Sequence, residues 1–198
     1  MSVLKPKEYN ISYFDGAKAR YKHNAGYDRY ERWYRNEGPN SRGEFWKDYA
    51  HTLFKEHKLK NKKVLEIGCA KGFVVEDLRS LGVDAHGLDV SSYAIGQASD
   101  AAKPYLTIAD VRSALPQIED KEFDVLFSLR FMECIPEEDI PGLVAQMNRI
   151  SKFQFHVIDE VIKPNFYVNK SLEEWVKYPW SSGTVLQSNE NKNRVLRK

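Results

Sequence analysis

The 198-residue chain contains only two cysteines, Cys69 and Cys134. That is too few for a disulfide framework, and both read as reduced intracellular thiols. There is no CxxC pair and no cluster of histidines among its five, so neither a structural zinc nor another metal is expected. No run approaches the ~20 apolar residues that a membrane span needs. The first residues, MSVLKPKEYN, lack the apolar core of a secretory signal. Repeats and low-complexity tracts are also missing. These absences lead to the expectation of a cytoplasmic protein without a membrane partner. The hydrophobic fraction, 42%, is ample for a core, and the length fits one domain with an appended arm.

The net charge of +2 conceals a division along the chain. Residues 1–62 carry 14 Lys/Arg against 8 Asp/Glu, residues 63–160 carry 9 against 17, and residues 161–198 carry 7 against 3. The ends are basic and the middle is acidic. Two readings stay open: solubilising charge on exposed faces, or attraction of an anionic substrate or partner.

Three stretches differ in character. Residues 1–40 are aromatic and basic, with Tyr9, Tyr13, Phe14, Tyr21, Tyr27, Tyr30, Trp33 and Tyr34. A disordered leader would be poor in such residues, so this arm is expected to fold against the core or a ligand. Ser41 with Glu44 reads as a capping box opening a helix to about His57, with Phe45, Trp46, Tyr49, Leu53 and Phe54 at helical spacing. From residue 63, strands alternate with helices. Strands are expected at 63–67, 85–88, 105–109, 123–129 and 153–158. Helices are expected at 73–81, from Ser91 or Ser92 to about Ala101, and at 137–150. The run 123–129 is nearly all apolar, as in a central parallel strand. This order implies a doubly wound, mostly parallel Rossmann-like α/β sheet with helices on both faces. Beyond it, a short helix over 171–178, an edge strand over 183–187 and a frayed polar tail over 189–198 are expected, so the domain is bounded at 41–188.

The chemistry is concentrated where strands end. Val64-Leu65-Glu66-Ile67-Gly68-Cys69-Ala70-Lys71-Gly72 spans a strand, a turn and the start of a helix. Gly68 permits a tight bend, and Gly72 allows the helix to approach the strand and leaves room for a ligand. Asp89 closes the second strand, where a carboxylate can accept both hydroxyls of a ribose. Ala109-Asp110-Val111 closes the third strand and can meet an adenine amino group. Phe123 to Arg130 ends at the same cleft. A nicotinamide or flavin fingerprint needs a third glycine to seat a pyrophosphate, and Phe73 stands in that place.

In this order and spacing the four pieces resemble the class I S-adenosylmethionine-dependent methyltransferases, in particular the small-molecule branch called the methyltransferase-11/12 type. The likeness covers roughly residues 60–160. It implies that Glu66, Gly68, Cys69, Ala70 and Gly72 cradle the methionine part of S-adenosylmethionine. It further implies that Asp89 holds the ribose with Val90 against the adenine, that Asp110 and Val111 hold the adenine amino end, and that Ser128, Leu129 and Arg130 form the wall after the fourth strand. Three departures stand out: Ala70 replaces the family's middle glycine, Cys134 stands where histidine is common, and only 38 residues follow Glu160 where the family has a full helix and an antiparallel hairpin.

Methyl transfer is an in-line displacement from an already activated cofactor, which leaves S-adenosylhomocysteine. Alignment and exclusion of water matter most, and a general base helps when the acceptor is a hydroxyl or a protonated amine. Candidate catalytic residues are Glu133, His156 and Asp159, with Glu160 as another acid near the cleft. Tyr13, Tyr21 and Tyr27 are candidates for a lid whose aromatic faces would attract a sulfonium. The expected activity is transfer of a methyl group to oxygen or nitrogen of a small-molecule or glycan-type acceptor. Two alternatives stand beside it. One is a nucleic-acid-associated methyltransferase using the basic ends, and the other is a non-catalytic S-adenosylmethionine-binding protein.

Overall fold

The computed structural model describes residues 9–14, 45–160, 167–188, 191 and 195–198. Its centre is a seven-stranded sheet with strands β1 (Lys63–Ile67), β2 (Asp84–Asp89), β3 (Leu106–Ile108), β4 (Phe123–Leu129), β5 (Ser151–Ile158), β6 (Val185–Ser188) and β7 (Val195–Arg197). The spatial order is β3-β2-β1-β4-β5-β6-β7. All neighbours are parallel except the β6–β7 pair. The chain therefore winds outward from β1 in one direction through β2 and β3, and in the other through β4 and β5. The crevice at that reversal is where open α/β sheets bind ligands.

Seven helices accompany the strands in the described residues: α1 (Ile11–Phe14), α2 (Phe45–Glu56), α3 (Phe73–Ser80), α4 (Ser92–Gly96), α5 (Val111–Ala114), α6 (Ile140–Ile150) and α7 (Leu172–Trp175). Strand side chains alternate between the two faces of the sheet. Val64, Val125, Phe127 and Phe155 join α2 and α3 through Ala50, Leu53, Val74 and Leu78. Leu65, Ile67 and Leu126 join α6 through Leu143, Val144, Met147 and Ile150, together with Trp175 of α7. The spacing of the four α6 residues puts them on one apolar stripe. Both faces of the central strands are thus covered, which is why apolar residues fill three of the five positions of β1 and five of the seven of β4.

Several element bounds differ from expectation. α4 ends at Gly96 rather than near Ala101, because Ser99 Oγ accepts the Ala102 N–H and holds a separate turn. The expected helix 137–150 begins with a 3₁₀ turn at Glu137–Asp139, and α6 proper follows with Pro141 in its first turn. β3 contracts to three residues, while β5 begins two residues early where Ser151 pairs with Phe123. α7 is a single turn closed by a capping box between Ser171 and Glu174.

The C-terminal expectation changes most. β6 is an inner strand, and Val195–Arg197, expected in a frayed tail, forms the antiparallel edge strand β7. Backbone pairing extends beyond the strand itself, with Gly183 N–H to Lys198 O at 2.9 Å and Lys198 N–H to Thr184 O at 3.0 Å. Leu196 packs on the core beneath it. Ser41 and Glu44, read as a capping box, lie outside the described residues.

Candidate active site

The bend after β1 is built by backbone geometry. Gly68 has φ +75°, and the N–H groups of Gly68 and Cys69 both donate to Leu88 O, at 2.8 and 3.2 Å. A Cβ at Gly68 would fall 2.5 Å from Cδ2 of Phe131, so glycine is required both by conformation and by space. Ala70 is also left-handed, at φ +50°. Gly72, at φ +71°, opens α3 without a side-chain cap, and a Cβ there would meet Leu106 Cδ1 of β3 at 2.6 Å. The close approach at Gly72 is thus between the α3 turn and the third strand.

The bend is tied to β2 through Asp89. Its Oδ2 accepts the Ala70 N–H at 2.8 Å, and its Oδ1 accepts the Ser91 N–H at 2.8 Å. Burial raises the Asp89 pKa, opposed by hydrogen bonds from the backbone N–H groups of Ser91, Ala70 and Val90. Each carboxylate oxygen has two lone pairs, so these backbone donors leave room for a further donor such as a ligand hydroxyl. Glu66, one strand away, is 4% exposed, and its Oε2 has no hydrogen-bond partner. Burial first, and the nearby Asp89 second, push its pKa up to about 8. A buried carboxyl with an unused oxygen beside a second acid suits a ligand that brings a cationic group.

These groups open on one cavity beyond the carboxyl ends of β1, β2, β3 and β4. Glu66, Gly68, Ala70, Asp89, Val90, Asp110, Val111, Leu129 and Arg130, all expected to contact the cofactor, line it. Cys69, Gly72 and Ser128 do not. Cys69 is buried against Gly87, burial raises its pKa well above the ordinary thiol value, and it remains a thiol. Ser128 is wholly buried, 2.8 Å from Nδ1 of His156. Asp110 caps α5, and Arg112 engages its carboxylate through the backbone N–H, Nε and the terminal nitrogen Nη2, at 2.9, 3.0 and 2.5 Å. Arg112 reaches onward to Asp139 at 2.9 Å, tying the loop after β3 to the turn before α6.

The three candidate catalytic residues lie behind this lining. His156 is fully buried, 3.4 Å from Gln154 Oε1 and with its ring 4.8 Å from that of Trp180. Desolvation lowers its pKa to about 3, so it stays neutral. Glu133 is also fully buried. Its Oε1 accepts the Asp159 N–H and its carbonyl accepts the Tyr167 N–H at 2.9 Å, while burial raises its pKa to about 8. Asp159 is buried and paired with Nε of Arg130 at 3.0 Å. The trio therefore braces the ends of β4 and β5, and through Arg130 it fixes one cationic edge of the cavity. Glu160 accepts the Leu172 N–H at 2.9 Å and stabilises α7.

The remaining wall is aromatic and apolar. It includes Tyr9, Tyr13 and Phe14 of the arm, Trp46 of α2, Phe131, Ile135, Pro136 and Tyr167, with Cys134 beside them. Tyr13 is the lid candidate that lies here, and Tyr21 and Tyr27 lie outside the described residues. Sequence reasoning had not assigned Trp46, Phe131 and Tyr167 to the site. Trp46 looked like a core position of an amphipathic helix, and only the aromatic excess around the motifs hinted at their place. Cys134 holds the position where the resembling family carries histidine. Burial, and next the charge of Glu133, raise its pKa far above the ordinary thiol range, so it supplies no base.

Residues 64–153 match a family model described as a methyltransferase domain. The chain is 32% identical over 107 residues to a ubiquinone biosynthesis O-methyltransferase from Methylococcus capsulatus, covering 52% of this chain and 42% of that protein. It is 34% identical over 85 residues to the enzyme of the same name from Paraburkholderia phymatum, covering 40% and 36%. It thus spans less than half the length of these curated relatives. Among solved structures, the magnesium protoporphyrin IX methyltransferase of Synechocystis with bound S-adenosylmethionine aligns over 77% of this chain and 74% of that chain, at TM-score 0.48 and 18% identity. A methyltransferase from Archaeoglobus fulgidus aligns over 55% and 49%, at TM-score 0.48 and 20% identity. The match to a methyltransferase domain thus runs from β1 to the start of β5, the part of the chain that carries the bend after β1 and the Asp89 side of the cavity.

Proposed function

We propose that this chain is an S-adenosylmethionine-dependent O-methyltransferase of a small, largely apolar acceptor, with the cofactor in the cavity over β1, β2 and β3. The observation that carries this reading is the pairing of Asp89 with the unpartnered Glu66 Oε2 in one cavity. A ribose offers two hydroxyl donors to Asp89, and a methionine ammonium offers a cation to Glu66. Val111 and the carboxylate of Asp110, held by Arg112, stand at the adenine end. The cofactor supplies an activated methyl on a sulfonium; transfer to a hydroxyl oxygen breaks the carbon–sulfur bond, leaves a neutral thioether and releases the hydroxyl proton. The chain's own contribution is alignment and removal of water: the aromatic wall of Tyr9, Tyr13, Phe14 and Phe131 encloses the reacting centre.

An oxygen acceptor on a small molecule is supported by the names of the relatives, and an apolar one by the aromatic and aliphatic side chains that line much of the cavity. Arg130, anchored by Asp159, gives the acceptor side one cationic edge that favours an electron-rich or anionic group on that otherwise apolar substrate. Calorimetry with S-adenosylmethionine, S-adenosylhomocysteine, NAD and FAD tests the reading. The first two are expected to bind, and Asp89→Ala is expected to cost at least tenfold in affinity with the melting transition retained. Binding of a dinucleotide alone, or unchanged affinity in Asp89→Ala, would overturn it.

A further inference from the structure

The aromatic cover and the cofactor loop are joined by one buried hydroxyl. Ser91 is fully buried and makes three kinds of hydrogen bond. Its backbone N–H donates to Asp89 Oδ1 at 2.8 Å. Its Oγ accepts the Ala94 N–H at 3.0 Å and caps α4. The same Oγ donates to the carbonyl of Tyr9, 82 residues earlier in the chain, at 2.5 Å. From that point α1 lies across the cavity. Tyr13 and Phe14 pack on Ala70 and Ala94 in a cluster separate from the two faces of the sheet. The rings of Tyr9 and Tyr13 meet edge-on at 5.0 Å, and Phe14 stacks on Tyr93 of α4 at 6.4 Å.

An isolated one-turn helix is not stable by itself, so α1 depends on what it docks against. Its supports are Ala70, whose N–H is held by Asp89, and α4, whose first turn is held by Ser91. Asp89 therefore orders both surfaces on which the aromatic segment rests. We propose that Ser91 is a positioning residue that couples occupancy of the Asp89 side of the cavity to closure of the aromatic cover formed by residues 9–14. This rests on the cofactor reading given above and extends it to the order of events: a ligand that immobilises Asp89 fixes Ser91, Ser91 fixes the Tyr9 carbonyl, and the rings of Tyr13 and Phe14 then shield the reacting centre from water.

A double-mutant cycle on the full chain separates this role from simple capping of α4. The dissociation rate of S-adenosylhomocysteine is measured for the parent, Ser91→Ala, Tyr13→Ala and the double variant. Backbone hydrogen exchange at Tyr13 and Phe14, whose N–H groups both donate to Asn10 O, is followed without ligand. Ser91→Ala is expected to speed dissociation by about three- to tenfold, the scale of one neutral hydrogen bond, and to raise exchange in α1. Tyr13→Ala is expected to do the same, and the double variant to be little faster than either single one. Ser91→Thr keeps the hydroxyl and is expected to restore the parent rate to within about twofold. Multiplicative effects in the double variant, or unchanged exchange in α1 of Ser91→Ala, would overturn the coupling. If the parent binds no S-adenosylhomocysteine at all, the cofactor reading fails instead, and the exchange comparison still decides whether Ser91 holds the cover.

Discussion

Glu66→Gln tests the electrostatics of the pocket with and without ligand. In the unfolded chain its carboxyl has the ordinary value of 4.5, and in the folded protein burial and Asp89 raise it to about 8. Between those values the folded state holds a proton that the unfolded state has lost. Stability is therefore fully present below pH 4.5 and declines as pH rises toward 8. The decline approaches about 1.4 kcal/mol per pH unit, which amounts to about 3 kcal/mol at pH 7. This is a ceiling, because the loop can relax around the charge. Glutamine fills nearly the same volume and cannot ionise. Urea unfolding of the ligand-free proteins, followed by tryptophan fluorescence, should give similar stabilities near pH 5. By pH 7 the variant should lead by one to about three kcal/mol. Ligand binding should reverse the ranking. A cationic group beside Glu66 favours the carboxylate, so binding expels a proton and affinity rises with pH up to about 8. Calorimetry of S-adenosylmethionine in buffers of different ionisation enthalpy should register that proton in the parent and lose most of it in the variant. Stability curves that stay parallel from pH 5 to 8, together with equal proton release, would refute the placement of Glu66 as a buried, unpartnered acid facing the ligand.

Two further outcomes follow from packing. Gly68→Ala places a Cβ 2.5 Å from the Phe131 ring at φ +75°, and a destabilisation of roughly 1–3 kcal/mol is expected in thermal unfolding, with weakened cofactor affinity as Phe131 is displaced. Glu133→Ala strips the buried Asp159 N–H of its acceptor and leaves a void, for a loss of roughly 2–4 kcal/mol, whereas Glu133→Gln keeps an acceptor oxygen and should lose far less; equal losses in the two variants would show that the bond to Asp159 is not what Glu133 contributes.

The central sheet was legible because its strands are buried on both faces and so cannot hide their apolarity. Phe123–Leu129 runs between the expected bounds, and β1 does likewise. The edges were less legible, since an edge strand needs few apolar residues. β7 is marked only by Val195 and Leu196 among charged neighbours, and what fixes it is backbone pairing with β6, which leaves no trace in composition. The acids that line the cavity could be read because Glu66, Asp89 and Asp110 each stand at or just past the carboxyl end of a strand. The covering residues could not, because Trp46 and Tyr167 come from segments far from the motifs and have the letters of ordinary core residues. His156 and Asp159 looked catalytic for the same reason that they are buried: a polar residue near the end of an inner strand must find a partner, and Ser128 and Arg130 provide it.

Ala70 shows how a departure from a pattern can itself carry structure. Glycine is the unstrained choice at φ +50°, and an alanine there costs about 1 kcal/mol. The cost is offset locally, because the Ala70 methyl is 7% exposed and joins Tyr13, Phe14 and Ala94 in the cluster under the aromatic segment. Its N–H meanwhile donates to Asp89, so the bend after β1 keeps its tie to β2. A backbone conformation and a side-chain contact are thus met by one residue at the junction of the bend, the Asp89 carboxylate and the N-terminal aromatic cluster. The same substitution that weakens the match to the glycine pattern gives the N-terminal segment a surface on which to dock.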